Sequence, residues 1–171
     1  DFLGIRAELD FRITTTEIAP ANRGKSSLGS DVHYCYNPIN YQKGKYNTDV
    51  SKKSFASALR FVITQLQDNH PVYFHCVWGS DRTGIFSSLV LGLLGVEQGN
   101  IDKEHELSTF CNHLRFRCRD ENGETRYYVE YLIKDVKSFS GSSLQEKFKN
   151  WWISAGLTEE EINKFRSMML E

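Results

Sequence analysis

The sequence predicts an α/β domain with a central, mostly parallel sheet flanked by helices. Three observations carry this. A short, almost wholly apolar, β-prone run, Val72–His75 (VYFH), is followed after a Gly-containing turn by an apolar helix candidate, Ile85–Leu94; that is the strand–turn–helix order of parallel architectures. Period-two segments lie ahead of this unit and segments of helical period lie on both sides of it. The 171 residues, 40% apolar and 13% aromatic, suffice for one hydrophobic core and not two, so 1–171 reads as a single domain.

Taken in order, Ile5–Phe11 (IRAELDF) alternates apolar and polar side chains and reads as a strand. Ile13–Ser30, rich in Thr, Gly, Ser and Asn, reads as a loop. Val32–Tyr36 is a second strand, ended by Asn37-Pro38, and Tyr41–Asn47 (YQKGKYN) is a polar surface loop. Asp49 reads as a helix N-cap, because Phe55, Leu59, Val62 and Leu66 behind it share one helical face. Asn69-His70-Pro71 breaks that helix before the VYFH strand, and Cys76–Gly84 is expected as a turn. Tyr128–Lys137 has weak helical period; Leu144, Phe148, Trp151 and Trp152 form a strong helical stripe, with Gly156 at its C-cap. Thr158 and Glu161 form a capping-box pattern for a last helix whose Ile162, Phe165 and Met169 are expected to face inward.

Charge excludes some functions. Lys plus Arg number 21 and Asp plus Glu 22, a net charge of -1, whereas a dedicated nucleic-acid binder carries a basic excess. Four cysteines are too few for a disulfide scaffold. The longest strongly apolar stretch, Ser88–Val96, falls far short of the roughly 20 residues of a spanning helix. No integral membrane segment is expected, and no nucleic-acid partner.

The chemistry concentrates in His75-Cys76-Val77-Trp78-Gly79-Ser80-Asp81-Arg82-Thr83-Gly84. Its kernel is Cys, five residues, then Arg. Five residues can curl round one tetrahedral anion, with successive backbone N–H groups turned inward and the following helix adding the positive end of its dipole. Arg82 can grip two anion oxygens with its planar fork. Cys76 lies in the same positive field, which favours the thiolate. A thiolate at the base of a phosphate cradle implies in-line attack on phosphorus, a phosphocysteine intermediate, and hydrolysis by water, with a general acid for the leaving oxygen. The competing reading of Cys76 is an inert buried thiol.

This segment resembles the signature of the cysteine-dependent tyrosine and dual-specificity phosphatases, and its Asp81-Arg82-Thr83-Gly84 ending is similar to the HCxxGxDRTG loop of the bacterial-type tyrosine phosphatases and to that of the myotubularin lipid phosphatases. Leu3–Arg12 (LGIRAELDFR) is similar to the family's "LGI…DLR" strand, with Phe11 in place of Leu. Ile101–Phe110 and Leu157–Leu170 resemble further family segments. The family's usual entry strand ahead of Leu3 is absent, and the chain starts abruptly; the expectation is a domain lacking that strand. The resemblance implies a phosphotyrosine-phosphatase-like fold with Cys76 as nucleophile, Arg82 on the phosphate, Thr83 steadying the leaving sulfur and His75 ordering the loop from beneath. Gly79 and Gly84 would permit its tight backbone, and Val77, Trp78 and Ser80 complete the substrate-binding loop.

The general acid has two candidates. Relatives place it some thirty residues before the cysteine, near Gly44, where YQKGKYN holds no carboxylate. Asp81 is the leading candidate, with a role in holding Arg82 or an amide as its alternative; Asp49 is the other. Asp10, Arg12 and Glu17, like the family's "DLRxxxE", are expected to support the site or to form an ordinary salt bridge. Arg115, Arg117 and Arg119 read as a solvated face rather than a basic rim. His33, His105 and His113 show no metal-ligand spacing with cysteine, so no metal and no cofactor are expected. Cys35, Cys111 and Cys118 read as incidental thiols, with a redox partnership to Cys76 as the lesser alternative.

The expected activity is thus a phosphomonoester hydrolase acting on a phosphorylated protein or small phosphomonoester, with tyrosine or dual specificity. Phosphoinositide or inositol-phosphate substrates are the runner-up, since Val77, Trp78 and Ser80 include no basic residue; a non-catalytic phospho-ligand module is the third reading. A working thiolate suits a reducing cytoplasm, though the abrupt start leaves export open. Oligomeric state is not legible.

Overall fold

The computed structural model describes residues 3–13, 17–20, 23–39, 47–110 and 128–170. Strand β1 (Ala7–Asp10) lies at the centre of a three-stranded sheet, paired in parallel with β2 (His33–Tyr36) on one side and β3 (Val72–His75) on the other. Helices α1 (Asp49–Gln67), α2 (Asp81–Leu94), α3 (Gln98–Glu106), α4 (Tyr128–Lys137), α5 (Leu144–Ser154) and α6 (Glu159–Leu170) follow in the order given, with β3 between α1 and α2 and a 3₁₀ turn at Leu107–Phe110 after α3. This is the expected α/β architecture.

The register explains why β1 alternates in sequence yet is buried throughout. Leu9 aligns with Cys35 and Phe74, and this face meets the helices. Glu8 aligns with Tyr34 and Tyr73, and Asp10 with Tyr36 and His75, which makes the opposite face polar and aromatic. A strand with partners on both sides buries even its carboxylates, so each must find a hydrogen-bond partner there.

Phe86 of α2 joins the sheet to the helical layer. Its ring packs edge-on against Phe11 at 5.2 Å and Phe74 at 5.1 Å, lies parallel to Phe55 of α1 at 6.4 Å, and meets Trp152 of α5 edge-on at 6.4 Å. Trp151 and Trp152 are fully buried, and their indole N–H groups donate to Asp135 at 2.9 Å and to the Leu89 carbonyl at 3.1 Å. The α5 stripe is therefore core, as its spacing predicts. The Thr158–Glu161 capping box also forms: the Glu161 amide donates to the Thr158 hydroxyl and the Thr158 amide to the Glu161 carboxylate. Arg60 of α1 pairs with the same carboxylate and holds it down at about 2, tying α1 to α6.

Four expectations need correction. The N-cap of α1 is Thr48, whose hydroxyl accepts from the Ser51 amide, and Asp49 is the first helical residue; two adjacent residues of cap type left the boundary ambiguous. Helix α2 begins at Asp81, so Asp81–Gly84 form its first turn rather than the end of a loop. Met169 is exposed, and its neighbour Met168, three residues after Phe165 on the same helical face, touches the core instead. Helix α3, which periodicity did not reveal, buries only Ile101, Asp102 and His105.

Gly92 of α2 packs against Phe148 so closely that a Cβ built on it lies 2.2 Å from the ring. In an open helix Gly→Ala is stabilising, by about 1 kcal/mol. Here the buried ring cannot withdraw, so Gly92→Ala is expected to destabilise by about 1–3 kcal/mol. The urea midpoint of the variant checks the sign; a midpoint at or above wild type contradicts this packing.

Candidate active site

The site is built where β3 ends and α2 begins. Cys76 follows β3 directly, and its sulfur is buried below the loop 77–80. Burial alone would push the thiol upward. Hydrogen bonds from the Thr83 and Trp78 amides, with the neighbouring Thr83 hydroxyl and the charge of Arg82, outweigh burial and hold it below the usual cysteine value. Amides from both ends of the loop thus converge on the sulfur, which is the curled geometry of an anion nest. Cys35, the other described free cysteine, has no such donors, and burial pushes its thiol up. The surroundings of the two thiols thus push them in opposite directions.

Gly79 supplies the turn. Its φ of +68° lies in the left-handed region, which glycine enters at no steric cost. Gly84 has a different reason to be glycine: it is helical, and a Cβ there would lie 2.8 Å from Nδ1 of the buried His105 on α3. Close approach of α3, not a tight loop backbone, excludes a side chain at Gly84. Ser80 and Asp81 are buried beneath the loop, with the Ser80 hydroxyl 3.3 Å from Asp81 Oδ1. Val77, Trp78 and Gly79 are the exposed members; Trp78 stands 46% exposed at the rim.

Arg82 is 4% exposed, so its charge needs partners. Nη1 donates to Glu17 Oε2 at 2.6 Å and to the Phe11 carbonyl at 3.0 Å, while Nη2 donates to Glu17 Oε1 at 3.0 Å. Glu17 therefore holds the end of the fork, and these contacts leave the Nε edge out. Burial works against ionisation of Glu17, but Arg82 and the Ile13 amide outweigh it and hold the carboxyl low.

Asp10 is fully buried on β1 and accepts from Arg12 through its backbone amide, Nε at 2.9 Å and Nη2 at 2.8 Å, and from the Tyr34 hydroxyl at 2.9 Å. Burial opposes its charge; Arg12, Tyr34 and the nearby His75 outweigh burial and keep the carboxyl low. Burial and the Asp10 charge both push the Tyr34 phenol up. His75 Nδ1 lies 3.1 Å from the Cys76 carbonyl oxygen.

Glu8 was not foreseen. It is fully buried, its Oε1 lies 2.8 Å from His75 Nε2, and its Oε2 accepts from the Ser26 hydroxyl. The available signal was a second carboxylate on a strand destined for the sheet centre. Ligand atoms of Glu8, Asp10 and His75 lie within 4.8 Å of one another; Arg12 and Tyr34 bond to Asp10, and Ser26 bonds to Glu8. Asp49 is exposed at the start of α1, and no described hydrogen bond or ion pair joins it to the Cys76–Arg82 loop. The Arg115, Arg117 and Arg119 run, His113, Cys111, Cys118 and residues 41–46 of the polar loop lie outside the described residues.

A parallel α/β layer that delivers a thiol and a buried arginine to one anion-sized loop at a helix N-terminus defines the class: a phosphate-handling catalytic domain. In sequence comparison, the family described as the tyrosine phosphatase family matches residues 2–171, and the chain belongs to that family. It is a phosphatase, a hydrolase whose substrate is phosphorylated. No curated protein matches the chain. No helix among the described residues is long and apolar enough to cross a membrane.

Asp10 and Glu17 set an acid limb for stability. Both folded values are depressed, so the stability they contribute is fully present above the unfolded carboxylate values near about 4 and is lost as pH falls through the folded values. An Asp10→Asn/Glu17→Gln double variant is expected to lose urea stability less steeply than wild type below about pH 4.5. Parallel profiles for the two proteins contradict the assignment.

Proposed function

We propose that this domain hydrolyses phosphomonoesters through a phosphocysteine on Cys76, with phosphotyrosine-containing protein as its principal substrate class. The observation that carries the reading is the convergence of the Thr83 and Trp78 amides on a buried thiol held toward its thiolate form beside Arg82.

The chemistry follows from the positions. The Cys76 thiolate attacks phosphorus as the ester P–O bond breaks, and the leaving oxygen takes a proton from Asp81, which stands in the first turn of α2. The loop amides and Arg82 hold the equatorial oxygens as charge redistributes. Water then attacks the phosphocysteine, Asp81 takes its proton, and the P–S bond breaks to return the thiolate, which the Thr83 hydroxyl stabilises. Glu17 keeps the guanidinium plane fixed throughout. Val77, Gly79, Ser80 and Gly84 shape the cradle.

Trp78 supports the aryl ester over the inositol phosphate. It offers a broad half-exposed face at the rim, suited to stacking on a phenyl ring. The loop's only cation is Arg82, whereas an inositol polyphosphate needs further cations for its flanking phosphates.

Cys76→Ser is expected to abolish hydrolysis of p-nitrophenyl phosphate while retaining tungstate binding; turnover in that variant overturns the nucleophile. Asp81→Asn should slow phenyl phosphate hydrolysis by roughly 10²–10⁴-fold and p-nitrophenyl phosphate hydrolysis much less, since the better leaving group needs less help. The same pattern from Asp49→Asn instead would transfer the role. Vanadate is expected to inhibit and EDTA not; loss of activity in EDTA contradicts a metal-free mechanism.

A further inference from the structure

The sheet face that points away from the helices carries a second arrangement aimed at Cys76. Glu8 is fully buried, and among the described residues it bonds to the Ser26 hydroxyl and faces His75 Nε2 at 2.8 Å. Its neighbour Asp10 has both oxygens bonded to the Arg12 guanidinium. Arg12 reaches Glu8 only through its field. A buried carboxylate without a bonded cation is costly, and the group in position to neutralise it is the His75 ring.

That ring has an acceptor at each nitrogen: the Glu8 carboxylate at Nε2 and the Cys76 carbonyl 3.1 Å from Nδ1. With a hydrogen on Nε2 alone, a lone pair faces the carbonyl. With a hydrogen on Nδ1 alone, a lone pair faces the carboxylate. With Glu8 ionised, both contacts become hydrogen bonds together when each nitrogen carries a hydrogen. The Tyr73 ring stacks on the imidazole at 5.0 Å and 13°, which suits a cationic ring and holds its plane.

We propose that Glu8 is a positioning residue for the reaction of Cys76: it holds a cationic His75 ring against the Cys76 carbonyl. This rests on Cys76 being the nucleophile, as proposed above. Two effects follow. The peptide joining Cys76 to Val77 is trans, as are all the described bonds, so its C=O and N–H point in opposite directions. Fixing the carbonyl on the ring below turns the Val77 N–H upward, toward the anion side of the loop. The ring's positive charge, one residue from the sulfur, also favours the thiolate. The other charged and titratable groups facing this ring are Asp10 and, beyond it, Arg12 from the β1 end, Tyr34 from β2, Tyr73 from β3 and Cys76 itself; Arg82 lies on the α2 side of the loop.

The test needs no turnover. Alkylation of Cys76 by iodoacetamide, followed by peptide mapping across pH, reports the thiolate directly. Glu8→Gln keeps the shape and removes the charge. It is expected to move the Cys76 profile to higher pH and to cut alkylation at pH 6 roughly tenfold, and ¹⁵N spectra at neutral pH should show two protonated ring nitrogens for His75 in wild type and one in the variant. An unchanged alkylation profile, or a singly protonated His75 in wild type, overturns the proposal. If Glu8→Gln fails to fold, the wild-type spectrum decides alone. Turnover in Cys76→Ser would sink the nucleophile reading and leave the His75 spectrum untouched, whereas an inactive Cys76→Ser with an unmoved Glu8→Gln profile would sink only this proposal.

Discussion

Arg82 is a full charge buried where the helix layer meets the sheet, and much of the site is arranged by the need to neutralise it. Its guanidinium reaches back across the chain to the carbonyl that ends β1 and to both oxygens of Glu17. Removing either partner would strand a buried ion, a change that typically costs about 3–5 kcal/mol. The contact therefore fixes three things at once: the start of α2, the end of β1 and the path of the segment after it. Because Glu17 clamps the end of the fork, the guanidinium is held in one orientation before any ligand arrives.

The fate of the thiols shows the same economy. Net charge is nearly zero, so attraction for phosphate has to be generated locally. Cys35 and Cys76 are both at least half-buried, and burial opposes ionisation of each. Of the two, only Cys76 has two amides turned toward it. What separates the two thiols is thus the direction of a few N–H bonds, set by Gly79 at the loop's bend and by the first turn of α2. Phe86, one turn further along, locks that helix to the sheet through Phe11 and Phe74.

Much of this was legible in the sequence because it depends on local pattern. The VYFH strand, the Trp151–Trp152 stripe and the Thr158–Glu161 box follow from spacing and capping chemistry that neighbouring residues carry themselves. The Cys-x5-Arg kernel is legible for the same reason, since a five-residue loop fits one anion. What escaped depends on contacts distant in sequence. The beginning of α2 at Asp81 was hidden because Ser-Asp-Arg-Thr-Gly is a poor helix-forming string, held helical by burial of Asp81 and Arg82. The reason for Gly84 lies on α3, in the His105 ring. Glu8 meets His75 across 67 residues, through the pairing of β1 with β3. Period and propensity specify elements; they do not specify which buried carboxylate meets which ring.

The most direct measurement of the central claim is to trap the intermediate. The enzyme is mixed with a radiolabelled aryl phosphate, quenched in acid within milliseconds, digested, and its peptides are analysed by mass spectrometry. The account predicts one phosphoryl group, borne by the peptide containing Cys76 and attached through sulfur. Label on any other residue, or steady turnover with no trapped phosphoenzyme under conditions where its hydrolysis limits the rate, would contradict it.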